Sequence, residues 1–240
     1  MNHLILIRHG QSIWNFEKRF TGWADIDLTD KGKSEAHKAG KLIKKINLRI
    51  NNYFCSYQKR SINTLKIILD VIGSDKNQII KAWELNERHY GELTGLNKDG
   101  MKKVYGENKI HQFRRSWNMS PAPLKRNSPY HPLNIDVYKN IPKNKIPDTE
   151  SLKNTYERVV SYYTKNIEPL IQSRQNILIS AHGNSLRALC KKLFNISEIN
   201  ISKLEIPTGN PLIIKFNKEL KISDCYYLDI TRSKDLLIKF

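Results

Sequence analysis

Long apolar runs are missing from this chain of 240 residues. The first apolar stretch, "LILI" at 4–7, stops at Arg8, too short for the core of a secretory signal, and no later stretch approaches bilayer-spanning length. A soluble, cytoplasmic protein is expected. Cysteine is scarce: Cys55, Cys190 and Cys225 are odd in number and far apart, which argues against a disulfide framework and for reduced, buried thiols. His, Asp and Glu nowhere cluster at metal-ligand spacing, and no glycine-rich loop ends in Lys-Ser or Lys-Thr, so neither a metal centre nor a nucleotide cradle is expected. Acidic residues are few beside basic ones, 23 against 41, giving a formal charge of +18. Such a surface attracts phosphate groups. Yet the lysines are spread over solvated faces such as "KLIKKI" (41–46) and "CKKLF" (190–194), so the charge permits acidic ligands without pointing to nucleic acid. Repeats and low-complexity tracts are also absent, apart from one short echo between the two halves.

What the chain does have is an alternation of short apolar runs with helix-period segments. This pattern predicts an α/β domain of three layers, with a mostly parallel central sheet and helices on both faces. Strands are expected at 3–8, 53–56, 176–181, 211–216 and 225–228. Helices are expected over 30–46, with Ala36, Ala39, Ile43 and Ile46 on one face, and over 60–72, with Ile62, Leu65, Leu69 and Ile72. A third should run from Glu150 to Asn166 with Asp148 or Thr149 as its cap, and a fourth should follow Asn184. The stretch from Leu93 to Pro147 carries six of the nine prolines and room for two short helices, near 98–105 and 109–117. Long loops inside a compact domain are usually functional or disordered. One domain, 1–240, is therefore expected, with 93–147 as an insertion capping the strand ends.

The echo pairs "LILIRHGQS" (4–12) with "ILISAHGNS" (177–185). Ligands of open α/β sheets bind outside the carboxyl ends of the strands, so His9 and His182 should meet at one rim. A glycine after each lets the chain turn and a ligand approach. Arg8 beside His9 would depress the imidazole pKa by like-charge repulsion and would bind the phosphate that a neutral histidine attacks. Arg60, in "QKRSINT" (58–64), should emerge near another strand end, as an anion ligand or as a surface arginine. Glu87, in "LNERHYG" (85–91), is either a proton-exchanging carboxylate or a salt-bridge partner of Arg88. Arg114 and Arg115 are a solvated basic face or a clamp over a second anionic group. With no metal expected, chemistry would rest on histidine and arginine.

The motifs "RHGQSIWN" (8–15), "RFTGWADIDLTDKG" (19–32), "KRSINT" (59–64), "LNERHYGELTGLNK" (85–98), "RRSW" (114–117), "AHGNSLRAL" (181–189) and "IPTGNPL" (206–212) run in order along the chain. Together they resemble the cofactor-dependent phosphoglycerate mutases of the histidine phosphatase superfamily. The resemblance implies a phosphoglycerate mutase-like fold. It also implies interconversion of 3-phosphoglycerate and 2-phosphoglycerate in glycolysis and gluconeogenesis, primed by 2,3-bisphosphoglycerate and without a metal. His9 would be the phosphorylated nucleophile and Glu87 the proton donor and acceptor, with Arg8, Arg60 and His182 around the moving phosphoryl group. The substrate would meet Arg8, His9, Gly10, Gln11, Ser12, Ile13, Trp14 and Asn15, then Thr21, Gly22, Arg60, Glu87, Arg88, His89 and Tyr90, then Lys98, Arg114, Arg115, Gly183 and Asn184.

Phosphoglycerates would thus be the partners, with no nucleic acid or membrane, and a homo-oligomer, dimer or tetramer, stays open. Gln11 stands where the mutase motif commonly has Glu. The end, "YYLDITRSKDLLIKF" (226–240), keeps a double tyrosine but not the small, basic tail that closes the site in some relatives. The rival readings are a phosphatase or bisphosphoglycerate mutase using the same His9, and a basic phosphate- or nucleic-acid-binding protein without catalysis.

Overall fold

The computed structural model describes residues 2–236. Six strands, β1 (Asn2–Arg8), β2 (Asn52–Cys55), β3 (Ile79–Lys81), β4 (Ile177–Ala181), β5 (Leu212–Phe216) and β6 (Ile222–Tyr227), form one sheet in the order β3-β2-β4-β1-β5-β6. Pairing is parallel from β3 through β2 and β4 to β1, and antiparallel from β1 to β5 and from β5 to β6. The sheet is therefore mostly parallel, as expected, with an antiparallel edge.

The apolar run of β1 is continuous because both of its faces are covered. Alternation sends Leu4 and Leu6 into one core and Ile5 and Ile7 into the other. Central β4 divides in the same way, with Ile177 and Ile179 on the first side and Leu178 on the second. Full burial of side chains this size contributes about 1.5–3 kcal/mol each.

Eight helices are named in chain order: α1 (Ile13–Phe16), α2 (Asp30–Lys45), α3 (Lys59–Ile72), α4 (Lys98–Tyr105), α5 (Glu107–Arg115), α6 (Leu152–Tyr162), α7 (Glu168–Gln172) and α8 (Gly183–Leu193). The second core takes Ala39 and Ile43 of α2 and Leu65, Ile68 and Leu69 of α3. The first takes Leu152 and Val159 of α6, Ile171 of α7, and Leu186 and Leu189 of α8. Three layers result, and none of the helices among the described residues is long and apolar enough to cross a membrane.

Local chemistry explains several boundaries. Thr29 caps α2 by accepting from Gly32 N, and α3 ends at Gly73, whose φ of 75° needs no Cβ. The cap of α6 is Ser151, not Asp148 or Thr149: its hydroxyl accepts from Asn154 N while the Asn154 side chain returns to Ser151 N. The helix expected to reach Asn166 stops at Tyr162 and passes through a π turn over Tyr163–Ile167 before Pro169 of α7, which could not join an uninterrupted helix as a donor. Strand β3 was not expected. It is three residues long with Ile80 42% exposed, and so lacks a buried run. Strand β6 begins three residues before the expected Cys225. Cys55 and Cys190 are buried free thiols, whereas Cys225 is only part-buried.

The segment 93–147 has small cores of its own. Leu93, Ile110 and Phe113 pack with Phe20, and Tyr138 and Ile141 pack with Trp23. The Tyr138 hydroxyl donates to Trp23 O at 2.6 Å. Of the divergent tail at 226–240, residues 237–240 lie outside the described part.

Candidate active site

Three parallel strands, β1, β4 and β2, deliver residues to one rim. His9 follows β1 and extends the ladder by one bond, its N–H donating to Ala181 O at 3.0 Å. His182 follows β4, and the two imidazole centroids lie 4.9 Å apart. His9 Nδ1 is 2.7 Å from Gly10 O. A carbonyl only accepts, so Nδ1 carries the proton and Nε2 keeps its lone pair. Burial, then the charges of Arg60 and Arg8, hold the His9 pKa well below the ordinary histidine value, which leaves the ring neutral. His182 is depressed in the same way, by burial first and then by Arg60.

Ser56, just past β2, meets His182 Nε2 at 2.7 Å and already accepts from Gln58 N at 3.2 Å. A hydroxyl can accept two bonds and donate one, so this contact is open to either His182 tautomer; Nδ1 is a buried atom with no partner among the described residues.

Two arginines frame this pair. Arg60, in the first turn of α3 and 1% exposed, donates to Ala24 O and Gly22 O, both at 2.9 Å. Arg8 donates to Ile206 O at 2.9 Å. The same short loop takes more: Leu204 O accepts from Arg187 Nε at 3.0 Å and from Arg115 Nη1 at 3.3 Å. Three guanidiniums from β1, α5 and α8 are gathered by backbone carbonyls of Leu204–Ile206.

Glu87 Oε1 accepts from Arg88 N at 2.8 Å and from Asn184 N, at the start of α8, at 3.2 Å. That helix end supplies free N–H groups for the carboxylate, and Oε2 is left without a protein donor among the described residues. Arg88 is no salt-bridge partner of Glu87. It is fully buried, none of its three guanidinium nitrogens has a hydrogen-bond partner among the described residues, and it stacks 4.8 Å from the Tyr90 ring centre. Burial raises the Tyr90 pKa, but Arg88 and Arg114 outweigh it and the phenol ends below its ordinary value.

The pocket so formed is walled by Arg8, His9, Asn15, Thr21, Gly22, Arg60, Glu87, Tyr90, Lys98, Arg114, Arg115, Gly183, Asn184 and Arg187. Six of these are cations and Glu87 is the single carboxylate. An anion about 4 Å from one such charge gains about 4 kcal/mol at the effective dielectric of a protein surface, so the wall selects ligands with more than one negative group.

Thirteen of the residues expected at the site line this wall, and the others stand around it. His182 is buried with its ring 4.9 Å from that of His9, and Arg88 is buried over the Tyr90 ring. Gly10 serves packing, since a Cβ there would come within 2.2 Å of Gly32 O, and its N–H donates to Thr64 Oγ1 at 3.1 Å. Gln11 turns away: its amide oxygen accepts from Thr29 Oγ1 at 3.0 Å, and its N–H goes to Glu35 at 2.8 Å. Ser12 caps α1 and, by donating its N–H to Asn15 Oδ1 at 3.2 Å, aims that side chain. Ile13 is 43% exposed, and Trp14 is buried between Arg19 and Tyr130. His89 is buried with Nδ1 accepting from Gly91 N at 2.9 Å.

Sequence reading missed four supports: Ser56, Arg187, the Leu204–Ile206 loop and a buried ion pair. In that pair, Arg158 Nε meets Glu150 Oε1 at 2.7 Å. Arg158 also donates to Glu84 O, Asn86 O and Glu87 O at 2.5–3.0 Å, and Glu150 accepts from His89 N at 2.8 Å. The pair grips the backbone on both sides of Glu87 and Arg88. Arg187 had one signal, its place one helical turn after Asn184.

A family model described as "Histidine phosphatase superfamily (branch 1)" matches residues 4–131. A 2,3-bisphosphoglycerate-dependent phosphoglycerate mutase of Pelagibacter ubique (strain HTCC1062) is 60% identical over 99% of this chain and 100% of its own. One from Hydrogenobaculum sp. (strain Y04AAS1), with the same description, is 45% identical over 95% and 92%. Among solved structures, a mycobacterial glucosyl-3-phosphoglycerate phosphatase superposes with a TM-score of 0.69 at 18% identity, covering 96% of this chain and 98% of that one. Bacillus stearothermophilus YhfR gives 0.68 at 19% identity, over 92% and 94%. Those two likenesses carry the fold alone. The paired histidines at the strand ends, the family match and the full-length relatives together make the conclusion plain: this chain belongs to the histidine phosphatase superfamily.

Proposed function

We propose that this protein is an isomerase that interconverts 3-phosphoglycerate and 2-phosphoglycerate through a phosphohistidine at His9, primed by 2,3-bisphosphoglycerate. The observation that carries the reading is the pocket wall, where a neutral His9 with a free Nε2 faces six cations and one carboxylate. The relatives' descriptions name the same reaction and the same cofactor. The donor set fits a ligand with several anionic groups, because six cations share the wall with a single carboxylate. When bound, 2,3-bisphosphoglycerate supplies the phosphoryl group that charges the enzyme.

In this reading His9 Nε2 accepts the phosphoryl group while Nδ1–H stays on Gly10 O, which fixes the ring through the transfer. Return to a monophosphoglycerate breaks the N–P bond and forms an O–P bond. Glu87 Oε2 takes the hydroxyl proton and gives it back in the reverse step. Arg8, Arg60 and His182 would stabilise charge on the equatorial oxygens without rearranging, since carbonyls and Ser56 already hold them. Asn15, Thr21, Gly22, Tyr90, Lys98, Arg114, Arg115, Gly183 and Asn184 would bind the rest of the substrate. Arg88 would do so through Tyr90, while Gly10, Gln11, Ser12, Ile13, Trp14 and His89 would shape the site from behind. The segment 93–147, which contributes Lys98, Arg114 and Arg115, would act as the cap that keeps water from the phosphohistidine. A cytoplasmic location, with no metal, nucleic acid or membrane, belongs to the same reading.

The test is transfer of labelled phosphate from 2,3-bisphosphoglycerate to the protein, together with an enolase-coupled assay in the presence of a chelator. The wild type should become labelled and turn over both monophosphoglycerates, and His9→Ala should do neither. A labelled His9→Ala protein, activity that requires added metal, or release of inorganic phosphate alone would overturn the proposal.

A further inference from the structure

Buried arginines in this protein are held in different ways. Arg158 has a carboxylate, since its side chain is 9% exposed and pairs with Glu150, itself 4% exposed. Arg187 is 5% exposed and has no carboxylate within ion-pair distance among the described residues. Its Nε donates to Leu204 O at 3.0 Å and its Nη1 to Asn184 Oδ1 at 2.5 Å, and it forms part of the pocket wall. A buried charge without a counter-charge is costly, and the fold bears that cost here. Burial, followed by the nearby Arg115, pulls the Arg187 pKa down to about 9, which still leaves a cation at neutral pH.

Arginine only donates, so the atom it meets on Asn184 is the amide oxygen. The Asn184 amide nitrogen therefore points to the Tyr90 hydroxyl, at 3.0 Å. Arg187 thus sets which way Asn184 faces. By sharing the Leu204 carbonyl with Arg115, it belongs with Arg115, Asn184 and Tyr90 rather than with the histidines that handle the transferring phosphate.

We propose that Arg187 is a specificity-determining residue of this site: it orients the Asn184 amide and takes as its missing counter-charge the carboxylate of the ligand, the group that is not transferred. The proposal rests on the reading that the ligand is a phosphoglycerate. Its chemistry predicts discrimination between 3-phosphoglycerate and glycerol 3-phosphate, which keeps the phosphate and lacks the carboxylate.

Both ligands are titrated calorimetrically into the wild type, Arg187→Gln and Arg187→Lys, with folding checked by circular dichroism. The wild type should prefer 3-phosphoglycerate. In Arg187→Gln that preference should fall about 10- to 100-fold, the range for a charged hydrogen bond, while affinity for glycerol 3-phosphate stays within about twofold. Arg187→Lys keeps the charge but not the planar fork that spans Leu204 and Asn184, so part of the preference should remain. It reads the same ratio if Arg187→Gln does not fold. A wild-type ratio in a folded variant, equal losses for both ligands, or a wild type with no preference would overturn the proposal. Absence of phosphate labelling in the wild type would instead overturn the mutase reading, so the two failures are distinct.

Discussion

Replacing His89 with Asn should flatten the acid limb of this protein's stability. The ring is fully buried and its Nδ1 accepts from Gly91 N, a bond that a protonated ring could not make. Burial, with His131 close by, pushes the His89 pKa down to about 3, against an ordinary value of 6.5 that the unfolded chain recovers. Unfolding therefore takes up a proton. The contribution of neutral His89 is fully present above pH 6.5 and is lost as the pH falls from there toward 3. At about 1.4 kcal/mol per pH unit over roughly 1.5 units, this side chain alone removes about 2 kcal/mol between pH 7 and pH 5. Asparagine can place its amide oxygen where Nδ1 accepts, and it does not titrate. Urea unfolding of both proteins at pH 7, 6 and 5 measures the difference directly. His9 and His182, also held neutral, destabilise both proteins alike on acidification and cancel in the comparison. Equal losses in wild type and His89→Asn between pH 7 and pH 5 would refute the reasoning.

Three further perturbations test how the site is held. Gly10→Ala should cost about 1–3 kcal/mol in thermal or chemical unfolding, because its Cβ would meet Gly32 O at 2.2 Å and only backbone could move. Gly183→Ala should fold within about 0.5 kcal/mol of wild type yet bind ligand more weakly, since its Cβ would sit in ordinary contact, 3.5 Å from Arg8 Nε at the pocket wall. Arg158→Met should lose about 3–5 kcal/mol in urea unfolding by stranding Glu150, and should lower kcat by loosening the backbone at Glu87. Adding Glu150→Gln should recover part of the stability and little of the rate.

The two His-Gly pairs show how far the sequence can be read. That His9 and His182 converge was legible, because strand polarity alone sends both to the same rim. The purpose of Gly10 was not. Gly10 is needed where β1 meets α2, a contact between backbones that leaves no pattern in the side chains. Gln11 looked like part of the ligand shell and instead ties the start of α2, because its neighbours in space, Thr29 and Glu35, are distant in sequence. The apolar runs of β1, β2, β4 and β5 announced themselves through burial on both faces, whereas β3 offers only Ile-Ile-Lys at an edge. Glu150 and Arg158 read as ordinary polar positions of an amphipathic helix. Only the fold reveals that they are buried and reach three carbonyls.

The loop at Leu204–Ile206 holds Arg8, Arg115 and Arg187 with main-chain oxygens. Every residue type has a carbonyl, so these acceptors survive any single side-chain replacement, while the buried Leu204 and Ile206 fix where the backbone runs and Glu205 Oε1 adds a bond to Arg115 Nη2 at 3.2 Å. Truncating Leu204 or Ile206 would reach the cations indirectly, through the core that sets the loop. Inserting or deleting a single residue would shift all three acceptors together and disperse the cations. The gathering of charge is thus encoded in the loop's length and its apolar anchors as much as in its charged side chain.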